Sequence, residues 1–197
     1  MTAPGPSLDP RVRRTRAALQ AALACLLESK DFEAISVQDI AEQAGLNRAT
    51  VYDHYPDKFA LLEAMVGARF DELLSERGAV FDGTCTSALR AIVLGVCDYL
   101  AARPRNDCER QRQMEPHFES AVIAVVRERL LAGVRAHPPA TATSPEIIAT
   151  TSSWAIYGAA KEWLQTPNRT SSEAMADVIL ALIAPIVTPT TATAASA

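Results

Sequence analysis

The chain has 197 residues, a formal net charge of −4 and a hydrophobic content of 49%. This length can enclose a sizeable core divided between two helical domains. No run of eighteen uncharged apolar residues occurs, which argues against a membrane span, and residues 1–16 lack the apolar core of a secretory signal. The sequence therefore predicts a cytoplasmic protein with no membrane partner.

The residue pattern does not favour an enzyme. The cysteines are widely spaced and form no C-x-x-C pair, which indicates free thiols rather than a disulfide framework. The three histidines have no carboxylate at metal-ligand spacing, and no Gly-rich phosphate loop is present. We therefore expect no catalytic residues, no metal and no cofactor.

The first predicted helix follows an arm, residues 1–10, that contains three prolines and a glycine and is expected to be disordered. The helix extends from about residue 11 to residue 29, with leucines along one face. A short connection then leads to Ser36. Ser36 and Asp39 form a capping-box pattern that begins a second helix, whose apolar residues recur at i, i+3, i+4 and i+7.

Gly45 ends this second helix, because only glycine adopts the left-handed conformation of a helix C-cap at little cost. Asn47 can then cap a third helix, residues 48–55, in which Val51 faces the second helix. Two short helices separated by a Gly-containing turn are typical of the helix-turn-helix of DNA-binding proteins.

The third helix is unusually rich in side chains that can recognise bases. Arginine can form two hydrogen bonds with guanine, asparagine can do so with adenine, and small methyl groups can contact the thymine methyl. The residues in question are Asn47, Arg48, Ala49, Thr50, Tyr52, Asp53 and His54. This composition predicts a helix that reads double-stranded DNA.

Three motifs make this segment resemble the tetracycline-repressor (TetR) family of bacterial regulators. They read D-I-A-x-x-A-G-L, T-V-Y-x-H-Y and P-D-K-x-A-L-L, within about residues 11–66. The resemblance implies that Arg48, Ala49, Thr50, Tyr52 and His54, next to Asn47, face the major groove. It also implies that Ser36, Tyr55 and Lys58 face phosphates.

Four arginines near the start of the first helix are expected to add DNA contacts. Positive charge at a helix N-terminus opposes the helix macrodipole, so a compensating role is expected. The four are Arg11, Arg13, Arg14 and Arg16. We predict that they contact the minor groove or the flanking phosphates.

The remaining pattern predicts an all-α fold of about nine helices. The DNA-binding domain, residues 11–58, contains three, and an effector-binding and dimerisation domain, residues 59–187, contains the others. A short polar helix is expected at residues 106–115, with Pro116 opening the next helix. Residues 188–197 are of low complexity and are expected to be disordered.

The resemblance implies a homodimer formed by the last two helices of each subunit, although packing within one chain could also account for their apolar residues. The predicted interface consists of Gly158, Trp163, Ile179, Leu182, Ile183 and Ile186. The resemblance also implies a pocket for a small-molecule effector in the second domain. The residues expected to line it could instead be ordinary core residues. The expected pocket is lined by Cys97, Leu100, Met114, His117, Phe118, Val122, Trp154 and Tyr157.

These features together predict a dimeric transcriptional repressor that an effector releases from operator DNA. Two alternatives are an activator of the same family and a helical interaction module that does not read DNA. Neither the effector nor the operator can be read from the sequence.

Overall fold

The computed structural model describes residues 9–102 and 109–188, and these ranges contain eight α-helices and no strand. This confirms the all-α fold class. The helices are α1 Pro10–Ser29, α2 Val37–Ala44, α3 Arg48–His54, α4 Lys58–Glu76, α5 Thr86–Ala102, α6 Glu109–Ala136, α7 Pro145–Gln165 and α8 Ser172–Val187. Most of the predicted arm and tail lies outside the described residues.

Helix α6 differs from the sequence prediction. Pro116 lies inside this 28-residue helix rather than at the start of a new one. The predicted polar helix at residues 106–115, of which residues 106–108 lie outside the described ranges, is thus continuous with the next helix. A proline inside a helix costs about 3 kcal/mol. The buried side chains of Val122, Val126 and Leu130 offset this cost further along α6.

The described chain divides into two compact units. The first includes the residues up to Val66 and the part of α6 up to His117; the second begins at Gly67 and resumes at Phe118. The domain boundary predicted at residues 58 and 59 falls on the first turn of α4. Helices α4 and α6 therefore each contribute residues to both units.

Local signals account for α2 and α3 in the first unit. The Asp39 amide donates to Ser36 Oγ at 3.1 Å, and the Ser36 amide donates to an Asp39 carboxylate oxygen at 2.8 Å, which completes the capping box. Gly45 adopts φ 66°, and the Leu46 amide closes the turn on the Ala41 carbonyl at 2.9 Å.

The second unit has a core formed mainly by α5, α6, α7 and α8, with α8 packed on α5 and α7. Its fully buried residues include Leu89, Ile92 and Leu130. Burial of aliphatic side chains of this size contributes about 1.5–3 kcal/mol each to folding. The unit therefore has a hydrophobic core of its own.

Candidate DNA-reading site

Helix α3 is held to the first unit by a narrow apolar side and exposes the rest of its surface. Val51 is fully buried, whereas Arg48, Ala49 and Asp53 are exposed. Tyr52 has 46% of its surface exposed. This arrangement leaves the polar side of α3 open to a duplex, as a recognition helix requires.

Arg48 and Tyr52 form a pair one helical turn apart on this exposed surface. An Arg48 Nη atom donates to the Tyr52 hydroxyl at 3.1 Å, and the guanidinium carbon lies 5.5 Å from the centre of the tyrosine ring. The ring restricts the arginine rotamer through a cation–π contact. The pair therefore presents the guanidinium in a defined position before DNA is bound.

The other predicted groove residues differ in exposure. Thr50 and His54 are half-buried. Asn47 is exposed, and its side-chain oxygen accepts from the Ala49 amide at 3.0 Å as the N-cap of α3. Ser36 is exposed at the N-cap of α2. The side-chain oxygens of Ser36 and Asn47 thus cap α2 and α3, and the two residues are otherwise exposed to solvent.

Tyr55 and Lys58, which are expected to face phosphates, each have a hydrogen-bond partner within the first unit. Tyr55 is buried, and its hydroxyl accepts from Gln20 Nε2 in α1 at 3.1 Å. The Lys58 ammonium donates to three backbone carbonyls of the turn between α1 and α2. Their phosphate contacts stay a prediction.

The N-terminal arginines lie in the first two turns of α1. Arg11, Arg13 and Arg14 are exposed, while Arg16 is half-buried with its guanidinium carbon 5.6 Å from the centre of the Tyr55 ring. Asp9 caps the helix by accepting from the Arg11 amide at 2.8 Å. Three of the four arginine heads are thus accessible to an external anion.

His117 lies in a different setting from the one expected. It is inside α6 rather than near its N-terminus, so the helix dipole does not act on it as predicted. Its Nδ1 is 2.9 Å from a Glu63 carboxylate oxygen, and its ring stacks on Phe59 with 4.7 Å between centres. His117 and Met114 belong to the first unit, not to the second.

The remaining predicted pocket residues fall in the second unit but do not all face its interior. Cys97, Leu100, Val122 and Tyr157 are buried. Burial raises the pKa of the Cys97 thiol to about 11. Phe118 is half-buried. Trp154 is 54% exposed, which corrects its assignment to an interior pocket.

The predicted dimer residues also separate into two groups. Trp163, Ile179 and Ile183 are buried within the second unit, so they are core residues rather than exposed interface residues. Trp163 donates through Nε1 to the Thr170 carbonyl at 3.1 Å. Ile179 and Ile183 are buried because α8 packs on α5 and α7 with the side that carries them.

An exposed apolar surface remains on the other sides of α7 and α8, and we call it the α7–α8 face. It includes the predicted interface residues Gly158, Leu182 and Ile186, together with three other exposed apolar residues. These are Ile147, Trp154 and Val178. Ile147 lies seven residues before Trp154, and Val178 lies four before Leu182, but the buried residues of α8 are spaced in the same way, so the spacing does not separate the two sets.

Within residues 9–102 and 109–188, no group of three or more His, Cys, Asp or Glu side chains is arranged to hold a metal ion. The described helices also include none that is long and apolar enough to cross a membrane.

Comparison with known proteins agrees with the geometry of the first unit. Residues 18–65 match the model for bacterial regulatory proteins of the tetR family. The chain is 43% identical over 68 residues to the uncharacterized HTH-type transcriptional regulator YxbF of Bacillus subtilis. The aligned stretch covers 34% of this chain and 18% of YxbF. The chain is also 35% identical over 95 residues to the HTH-type transcriptional regulator EthR of Mycolicibacterium smegmatis. This alignment covers 44% of this chain and 42% of EthR. The matched stretches thus span less than half of either relative.

A solved structure resembles the chain over most of its length. The TetR-family transcriptional repressor QsdR of R. erythropolis superposes with a TM-score of 0.54 at 18% identity, covering 91% of this chain and 97% of QsdR. The first unit, with its exposed α3, has the architecture of a helix-turn-helix DNA-binding domain. The match over residues 18–65 identifies the DNA-binding domain of the tetR family in this part of the chain.

Proposed function

We propose that the protein is a homodimeric repressor that binds operator DNA through α3 and leaves it when a small molecule binds the second unit. The observation that carries the DNA-binding part is the exposed Arg48–Tyr52 pair on a recognition helix whose apolar side is anchored by Val51. Arginine presented in this way suits the two acceptors of guanine in the major groove.

The α7–α8 face supports the dimer. Val178 and Leu182 are 55% and 66% exposed, one turn apart on α8, and Trp154 on α7 is exposed to a similar extent. Large exposed apolar side chains that lie near one another are typical of a protein interface. A β-carbon added to Gly158 would have no atom within 4 Å, so a partner helix could approach closely there.

The effector part rests on the interior of the second unit. Ser152 is fully buried on α7, and its hydroxyl has no hydrogen-bond partner among the described residues. A buried hydroxyl without a partner is unfavourable, so a ligand with a polar group could satisfy it. Release from DNA would follow if the effector binds the DNA-incompetent state more tightly.

The experiment that tests this proposal is selection of random duplexes by the purified protein, followed by titration of the enriched sequence. We expect a two-fold symmetric site with half-sites about one helical turn apart. Enrichment of no sequence would contradict DNA reading, and an asymmetric single half-site would contradict the dimer. A repressor is expected to lower expression of a reporter placed behind that site, whereas an activator would raise it.

Effector binding can be tested separately with a compound library and thermal unfolding. A true effector at a hundredfold excess over its Kd stabilises the protein by about 2.7 kcal/mol. The same compound must lower the affinity for the selected duplex. A ligand that stabilises the protein and leaves duplex binding unchanged would contradict the proposed release.

A further inference from the structure

The side chains of α3 are arranged around its buried anchor, Val51. Successive residues of an α-helix are rotated by about 100°, because one turn contains about 3.6 residues. Ala49 lies two residues before Val51 and Asp53 two residues after it, so each is rotated from the anchor by about 200°. Ala49 and Asp53 therefore occupy the side of α3 opposite its anchor, one turn apart, and both are exposed.

The other polar residues of α3 lie on either side of this outermost strip. Arg48 and Tyr52, which are hydrogen-bonded to each other, lie on one side, and the half-buried Thr50 and His54 lie on the other. A recognition helix that enters the major groove presents its outermost side to the base edges. In this geometry the carboxylate of Asp53 faces bases rather than phosphates.

The carboxylate of Asp53 is unpaired, unlike the other carboxylates of the helix-turn-helix segment. Residues 36–58 contain four Asp or Glu residues. Three of them accept a hydrogen bond from a neighbouring residue: Asp39 from Ser36, Glu42 from Gln38 and Asp57 from Ala60. Within residues 9–102 and 109–188, Asp53 takes part in no hydrogen bond or ion pair. The fold of the first unit therefore does not use this charge.

An unpaired negative charge at this position is unfavourable in two ways. Asp53 lies in the last turn of α3, where the helix macrodipole disfavours a negative charge. In a complex with a duplex, the carboxylate would also lose water and be repelled by the phosphates. A hydrogen-bond donor on a base edge would offset both effects.

The hydrogen-bonding groups of the major groove determine which base fits a carboxylate. Guanine presents only the acceptors N7 and O6 there, and thymine presents the acceptor O4. Adenine presents the donor N6 beside the acceptor N7, whereas cytosine presents only the donor N4. Because an ionised carboxylate has acceptors and no donor, cytosine is the base that matches it.

We propose that Asp53 is a specificity-determining residue whose carboxylate accepts a hydrogen bond from the N4 amino group of one cytosine in each half-site. This inference rests on the proposed DNA-reading function. It assigns Asp53 a direct contact with a base instead of a general electrostatic effect on DNA binding.

The test compares the wild type with Asp53→Ala on the selected duplex and on duplexes changed at each position. Glu42→Ala is the control, because it also removes an exposed negative charge from the helix-turn-helix. We expect the wild type to prefer cytosine at one position of each half-site by about tenfold. Asp53→Ala should lose the preference at that position and keep the preferences elsewhere, whereas Glu42→Ala should keep all of them.

Three results would overturn the inference. If Asp53→Ala binds every duplex more tightly by the same factor, the carboxylate only repels phosphates. If its base preferences equal those of the wild type, the carboxylate faces solvent in the complex. If the lost preference is for a base other than cytosine, the assigned contact is wrong. A wild-type protein that enriches no duplex would instead mean that the proposed function has failed, and not the assignment of Asp53 alone.

Removing the amino group from the DNA tests the same contact from the other side. The base 2-pyrimidinone is cytosine without its amino group. At the selected position it should weaken binding by the wild type and have a much smaller effect on Asp53→Ala. Equal losses in the two proteins would overturn the inference. Because Asp53 is exposed and unpaired, Asp53→Ala is expected to keep the fold, which circular dichroism verifies.

Discussion

Gly83 and Gly133 bring two backbones into direct contact within the second unit. A β-carbon added at Gly83, where φ is 97°, would lie 2.3 Å from the carbonyl oxygen of Gly133. A β-carbon added at Gly133 would lie 2.4 Å from the Phe81 ring and 2.7 Å from the Gly83 nitrogen. The loop before α5 can therefore approach α6 only because both positions lack a side chain.

The first prediction is that Gly133→Ala destabilises the protein. Overpacking typically costs about 1–3 kcal/mol, and the clash involves backbone that cannot move freely. Gly67→Ala is the matched control, because its β-carbon would meet only Val125 Cγ2 at an ordinary 3.5 Å. Urea unfolding of both variants checks this. Equal stability of the two variants would contradict the tight Gly83–Gly133 packing.

The second prediction concerns base reading by Arg48. Arg48→Ala should weaken binding to the selected duplex by about 1–3 kcal/mol and relax specificity at one base pair in each half-site. The change is measured by titrating duplexes substituted at each position. Tyr52→Phe, which removes only the hydroxyl that Arg48 contacts, should have a smaller effect. Uniform weakening on every sequence would show that Arg48 contacts only phosphate.

The third prediction concerns the exposed arginines of α1. The double variant Arg13→Ala, Arg14→Ala should lower DNA affinity and reduce the salt slope by about 0.9 for each phosphate that is no longer neutralised. These substitutions leave the Asp9 cap of α1 in place. Arg135→Ala, which removes an exposed arginine from the second unit, serves as the control. A double variant with the wild-type slope would exclude both arginines as phosphate ligands.

The fourth prediction concerns the dimer. Replacing Val178 and Leu182 with Asp places charge on the α7–α8 face and should yield a folded monomer, because both side chains are exposed in a single chain. Sedimentation measures the mass, and circular dichroism verifies the helix content. Glu173→Ala, at an exposed polar position on the opposite side of α8, should leave the mass unchanged. A Val178, Leu182 variant that remains a dimer would place the interface elsewhere.

The fifth prediction concerns pH. Hydrogen bonds hold the pKa of Asp39 well below its usual range. The largest effect comes from the Ser36 side chain and the next from the Lys30 side chain. A carboxyl whose pKa is lower in the folded state stabilises the protein above its unfolded pKa of about 3.9, and this stabilisation is lost as pH falls below that value. Asp39→Asn should therefore flatten the decline of the unfolding free energy between about pH 5 and pH 2. An identical decline in both proteins would show that this capping carboxylate does not contribute.

Local signals made much of the first unit predictable. The Ser36–Asp39 capping box, the left-handed Gly45 and the Asn47 cap each act within three residues, so their sequence determines the ends of α2 and α3 directly. Apolar spacing likewise identified the long helices of the second unit. Pro116 misled the prediction, because a strong helix-breaking signal was outweighed by burial along the rest of α6.

Which partner each side chain meets was decided only by the tertiary structure. Helix α8 is apolar around most of its surface, so the sequence could not separate Ile179 and Ile183, which face the core, from Val178 and Leu182, which remain exposed. Lys58 shows the same limit for charge. Its sequence position predicts a phosphate contact, and its ammonium also donates to three carbonyls from a turn more than twenty residues earlier in the chain, an interaction that no local pattern records.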